Sequence, residues 1–122
     1  MRFNNKEIVF SPSDLITFLE SPFATHMDRY LLEDKTKSVL LDTPDEMLIN
    51  LRKKGFEHEN EFISSLISEG KNVIKIENED NESMLSNTVS SMNNGVDVIA
   101  QAYLQLDNFS GIADFLIKVP GN

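Results

Sequence analysis

Two side chains in this sequence have the type and setting to do metal chemistry, His58 and Asp114. Asp114 closes the stretch Gly111-Ile112-Ala113-Asp114, an acid set into an otherwise apolar, strand-like run. A carboxylate flanked on its own face by Ile112 and Leu116 is partly desolvated and stays ionised best beside a cation. The plainer reading is a solvent-facing strand aspartate, since structural carboxylates outnumber functional ones. His58 falls on an apolar helical stripe, where an imidazole serves either as a hydrogen-bonded core residue or as a metal ligand. Gly55, one turn earlier, costs ~1 kcal/mol against alanine in mid-helix, which implies close approach by a neighbour, a packed strand included. Glu61, one turn later, could orient the imidazole, but a solvated face is the simpler assignment. His26 stands beside no acid cluster and reads as surface.

Other chemistries lack their residues. The sequence has no glycine-rich phosphate loop, serine elbow, histidine pair at i and i+4, or basic patch interleaved with aromatics. With no cysteine it has no disulfide framework, thiolate zinc site, cysteine nucleophile or cysteine-ligated cluster. A net charge of −9 argues against a stand-alone nucleic-acid binder, because nonspecific affinity comes from cations that neutralise phosphates. It leaves room for an acidic metal site whose basic groove comes from elsewhere. No stretch approaches the ~20 apolar residues of a membrane span, and the N-terminus lacks a signal-like apolar run. A reducing, cytoplasmic setting without membrane contact is the expectation.

These residues must be positioned by an α+β domain, the class expected for 122 residues that are 40% hydrophobic and 25% charged. Residues 8–10 read as a short strand or staple. Ser11-Pro12-Ser13-Asp14 marks a helix start, and Leu15, Ile16, Phe18 and Leu19 give that helix an apolar face. Pro22 interrupts it, and residues 23–32 form a second short helix. Residues 35–42 read as a linker. Thr43-Pro44-Asp45-Glu46 opens a long helix, with Thr43 as cap, that runs to about Glu69, where Gly70 stops it. Along it Leu48, Leu51, Gly55, His58, Phe62 and Leu66 form one stripe, with Lys53, Lys54, Glu57 and Glu61 largely off it. A strand over 72–77 follows, then a helix whose face carries Met84, Leu85, Thr88, Val89 and Met92, with both methionines in the core. Strands over 96–106 and 111–119, separated by Asp107-Asn108-Phe109-Ser110, complete a hairpin. Pairing Leu104 with Ala113 would place Val98, Ala100, Ala102, Phe115, Ile117 and Val119 on one buried face. It would leave Ile99, Gln101, Tyr103 and Gln105 beside Ile112, Asp114, Leu116 and Lys118 on a mixed one, sparing an unpaired charge from burial.

Three stretches, in this order, carry a resemblance. They are Ser11-Pro12-Ser13-Asp14-Leu15 with Phe18-Leu19, Gly55-Phe56-Glu57-His58-Glu59, and Val98-Ile99-Ala100-Gln101-Ala102 leading to Gly111-Ile112-Ala113-Asp114-Phe115-Leu116. Together they resemble the start of a RecB-like nuclease of the PD-(D/E)XK superfamily. The resemblance implies that His58, as the histidine of a G-x-x-H motif, and Asp114 bind Mg2+ or Mn2+ for phosphodiester hydrolysis, with Asp114 catalytic. It also implies that an acid and a lysine on a further strand complete the site. Lys118 cannot supply that lysine, since it lies about 13 Å along the same strand at ~3.3 Å per residue. Relatives with an iron–sulfur cluster carry a cysteine near the position of Ser21, so no cluster is expected.

The expectation is therefore one domain over residues 1–122, an incomplete restriction-endonuclease-like core that continues beyond Asn122. It would hold half of a metal site, be inactive alone, and contact nucleic acid only weakly. The unpaired edge of the last strand would favour a homodimer. The alternative is a non-catalytic α+β interaction module in which His58 and Asp114 are structural.

Overall fold

The computed structural model describes residues 1–36 and 43–121. Over these the chain is α+β, with four α-helices and two small sheets. It divides into two compact units, Met1–Thr43 with Gln105–Gly111, and Pro44–Leu104 with Ile112–Asn122. Most of the linker expected over 35–42 lies outside the described residues.

In the first unit, β1 (Arg2–Asn4) and β2 (Glu7–Val9) pair antiparallel, Phe3 opposite Ile8. The connecting residues Asn5 and Lys6 have φ of 47° and 77°. Positive φ at both positions is what a two-residue turn needs to match strand twist. The polar start of the sequence is therefore a hairpin strand. Helices α1 (Pro12–Glu20) and α2 (Pro22–Glu33) follow. Asp14 accepts hydrogen bonds from the Ser11 N–H at 2.7 Å and the Ser11 hydroxyl at 2.6 Å, and pairs with the Met1 ammonium at 2.6 Å. Burial of Asp14 opposes its ionisation. The bonds from the ammonium and Ser11, with the ammonium's charge, outweigh that and hold the carboxyl below its ordinary range. Ser21 closes α1 and its hydroxyl caps α2, accepting from the Ala24 N–H at 3.2 Å. Phe10 bridges to Phe109 by two backbone hydrogen bonds, from its own N–H to Asn108 O at 2.8 Å and from the Ser110 N–H to its carbonyl at 2.9 Å. Pro12 packs against Gly111 so closely that a Cβ there would lie 3.0 Å from the ring.

The second unit holds β3 and all but the turn end, 105–111, of the strands in a sheet of order β3-β4-β5, from Val73–Lys75, Val98–Leu106 and Phe109–Ile117. Strands β3 and β4 run parallel, Val73 opposite Val98, with α4 (Asn81–Asn93) as the crossover. Two residues, Asp107 and Asn108, join β4 to β5, so Phe109 and Ser110 belong to the strand and not to the turn expected from sequence. Met84 joins Ile76, Val96, Ile99, Ala102 and Tyr103 in the core, with Leu85, Ala113 and Leu116 against it. Met92 was expected there too, but it is 47% exposed, and α4 instead buries Ser91 beside Met84 and Thr88.

The expected separation of β4 into an apolar and a mixed face does not hold. Ile99, Ala102 and Tyr103 share one core, although strict alternation would divide them. The reason is Gln101, whose φ of 56° is left-handed in mid-strand and breaks the period of two. Thr88 accommodates the break. Its hydroxyl donates to the Met84 carbonyl at 2.9 Å and accepts the Tyr103 N–H at 3.2 Å, satisfying a buried donor that the strand ladder would otherwise take.

Helix α3 (Glu46–Ser68) starts later than expected, because Asp45 and not Thr43 caps it, accepting from the Leu48 N–H at 2.7 Å. Gly70 follows the C-cap at φ 84°. The expected stripe is not the buried face, since of its members Leu48, Leu51, Gly55, His58 and Phe62 are exposed and only Leu66 is half-buried, alongside Glu59 and Ile63. A helix of 23 residues is about 35 Å long at 1.5 Å per residue, more than a three-stranded sheet can cover.

Candidate functional site

Helix α3 and strand β5 form the walls of one open cavity of about 670 Å3. Arg52, Gly55, Phe56, His58, Glu59 and Phe62 come from the helix, and Asp114 and Phe115 from the strand. His58 and Asp114, distant in sequence, are thus brought together. Both are exposed. Asp114 is therefore not the desolvated carboxylate that its flanks Ile112 and Leu116 suggested, because among the described residues no named strand other than β4 pairs with β5, whose further pairing is the Phe10 bridge at Phe109. His58 is an exposed lining residue of the cavity and not a core histidine.

The helix is held to the strand next to this pair. Phe62 meets Phe115 edge-on, ring centroids 4.9 Å apart. Glu59, adjacent to His58, is the best buried carboxylate on the cavity wall, its side chain 14% exposed. Its Oε1 accepts from the Gln101 amide at 2.9 Å and lies 4.0 Å from Lys75 Nζ. Glu61 is exposed and outside the lining, in keeping with a solvated face. Gly55 lines the cavity with nothing within 4 Å of where its Cβ would stand, so among the described residues no packed strand requires it. Lys118 lies elsewhere, its Nζ 3.5 Å from the Cβ position of Gly95 just past the end of α4. His26 is exposed.

Sequence reasoning missed Arg52, Glu59 and Gln101. Arg52 and Glu59 lie beside named stripe residues, but only the helix's seating on the sheet selects them from its many charges. Gln101 left a faint trace as an amide inside the apolar run from Val98 to Tyr103.

As a donor set, one imidazole and one carboxylate fit a divalent cation that keeps most of its water, Mn2+ better than Mg2+ because imidazole is a softer ligand. Among the described residues no group of three or more His, Cys, Asp or Glu side chains is arranged to hold a metal ion. Glu59 is near enough to share the cavity, but Gln101 and Lys75 engage it. A second cavity of about 660 Å3, in the first unit, is lined by Glu7, Ile8, Phe10, Asp107 and Asn108 and contains no imidazole. No described helix is long and apolar enough to cross a membrane.

No protein-family model, curated protein or solved structure matches the chain.

Proposed function

We propose that this chain is part of a RecB-like, metal-dependent nuclease, with a restriction-endonuclease-like core in which His58 and Asp114 are two of the metal ligands. The observation that supports the reading is that His58 and Asp114, distant in sequence, line one cavity. A divalent cation bound there would polarise a phosphoryl oxygen and acidify a bound water. His58 would supply an imidazole nitrogen from the helix and Asp114 a carboxylate oxygen from the strand. Arg52, which also lines the cavity, would offer a permanent positive charge to a phosphate diester. Phe62 and Phe115, both lining the cavity, meet edge-on and hold α3 against the strand.

Two protein ligands hold Mg2+ or Mn2+ weakly, so the chain on its own is expected to be inactive and to contact nucleic acid poorly, as its net charge of −9 also favours. Beyond the Phe10 bridge at Phe109, no described strand covers the far edge of β5, and a homodimer through that edge belongs to the same reading.

The experiment is electron paramagnetic resonance of Mn2+ titrated with the protein. Loss of the free-ion signal with the wild type, abolished by His58→Ala and by Asp114→Ala, supports the reading. An undiminished signal at millimolar protein favours the interaction-module alternative.

A further inference from the structure

Gln101 is the one described non-glycine residue with positive φ inside a strand, the others at 5, 6 and 107 being turn residues. A left-handed backbone is unfavourable for a residue with a Cβ, and it persists only where its surroundings over-determine it. Here they do so from both sides. Thr88 accepts the N–H of Tyr103 beyond the break, and Glu59 accepts the Gln101 side-chain amide at 2.9 Å. Glu59 follows His58 directly on α3, and β4 neighbours the strand that carries Asp114. The bond therefore links the wall that presents the imidazole to the sheet that presents the carboxylate.

Burial does not require this arrangement. Glycine would take the same φ without cost, and an apolar side chain could fill the space beneath α3. A largely buried carboxylate hydrogen-bonded by an amide and approached by Lys75 has a fixed position, whereas apolar contacts along a helix allow it to slide and rotate. We propose that Glu59 and Gln101 are a positioning pair that sets the separation of His58 and Asp114. The inference rests on the reading of those two residues as a site, but its test does not use a metal.

The chain has no cysteine, so spin labels attach cleanly at Glu57→Cys on α3 and Ile112→Cys on β5, both exposed positions near the pair. Pulsed dipolar spectroscopy then reads the distance distribution between the two walls. With Gln101 and Glu59 in place a single narrow distribution is expected. Gln101→Gly removes the amide and relieves the backbone, so the narrow peak is lost while the melting temperature holds or rises. Gln101→Asn tolerates the left-handed conformation but is one methylene too short to reach Glu59, and it should lose the narrow peak as well. Glu59→Gln still offers an oxygen to the Gln101 amide and should keep it.

An unchanged distribution in Gln101→Gly and Gln101→Asn overturns the proposal. A melting temperature that falls in step with the broadening also overturns it, and makes the pair an ordinary stability element. Failure of the doubly labelled protein to bind Mn2+, with these distances as expected, would remove the metal reading and leave the positioning pair standing.

Discussion

Phe62 of α3 and Phe115 of β5 meet edge-on at 4.9 Å, immediately beside Asp114, and this contact seats the helix that carries His58 on the strand that carries its proposed partner. The ring of Phe62 is 38% exposed, so truncation forfeits less than a fully buried phenylalanine would. Phe62→Ala should cost about 1–2 kcal/mol in chemical denaturation, against the larger values usual for buried aromatics. Phe62→Leu should recover part of it. A neutral Phe62→Ala would show that the contact does not hold α3 in place.

Thr88 joins α4 to β4 at the point where Gln101 interrupts the strand. Thr88→Val keeps the shape and removes the hydroxyl that accepts from the buried Tyr103 N–H. The expected loss is about 1–3 kcal/mol. Thr88→Ser keeps the hydroxyl and should cost clearly less. Equal losses for the two variants would assign the effect to packing.

The two glycines of the recognised stretches should respond in opposite ways to alanine. At Gly111 a Cβ would lie 3.0 Å from Pro12 Cδ, and the ring has little freedom to yield, so Gly111→Ala should destabilise by about 1–3 kcal/mol. At Gly55 nothing stands within 4 Å, so Gly55→Ala should stabilise α3 by roughly 0.5–1 kcal/mol. Thermal melts of both variants check the contrast. A destabilised Gly55→Ala would mean that the helix is approached there after all.

Asp14 gives a pH dependence whose sign is fixed by the direction of its shift. Its folded carboxyl titrates below the ordinary value of 3.8, so its contribution to stability is fully present above that pH and is lost as pH falls through the depressed folded value. Asp14→Ala should cost about 1 kcal/mol at neutral pH, as for loss of a helix cap. The gap between wild type and variant should close in acid. A gap that stays constant down to the acid transition would contradict the assignment.

The helices were legible because their signals are local. Ser11-Pro12 marks the start of α1, Pro22 the break after it, and Gly70 the stop of α3, while the Ser21 cap of α2 went unread. The pairing of His58 with Asp114 was legible only as a resemblance, since no local property of either residue announces the other. What escaped depends on contacts between elements. The left-handed Gln101 is stabilised by partners on α3 and α4, so the strand's alternation looked intact when read alone. The exposure of Leu48 and Leu51 follows from a helix that outruns its sheet, which periodicity cannot show. Thr43 lost the cap to Asp45 because two capping residues stood within one turn and only the dihedral angles decide between them.

The central claim, that His58 and Asp114 are joint metal ligands, is tested most directly by NMR with substoichiometric Mn2+, following imidazole and carboxylate resonances along the titration. The expected result is selective broadening of His58 and Asp114 together, spreading next to Glu59 and Phe115, with His26 unaffected. Broadening that reaches only one of the two, or that falls equally on His26 and the scattered surface acids, would contradict the claim.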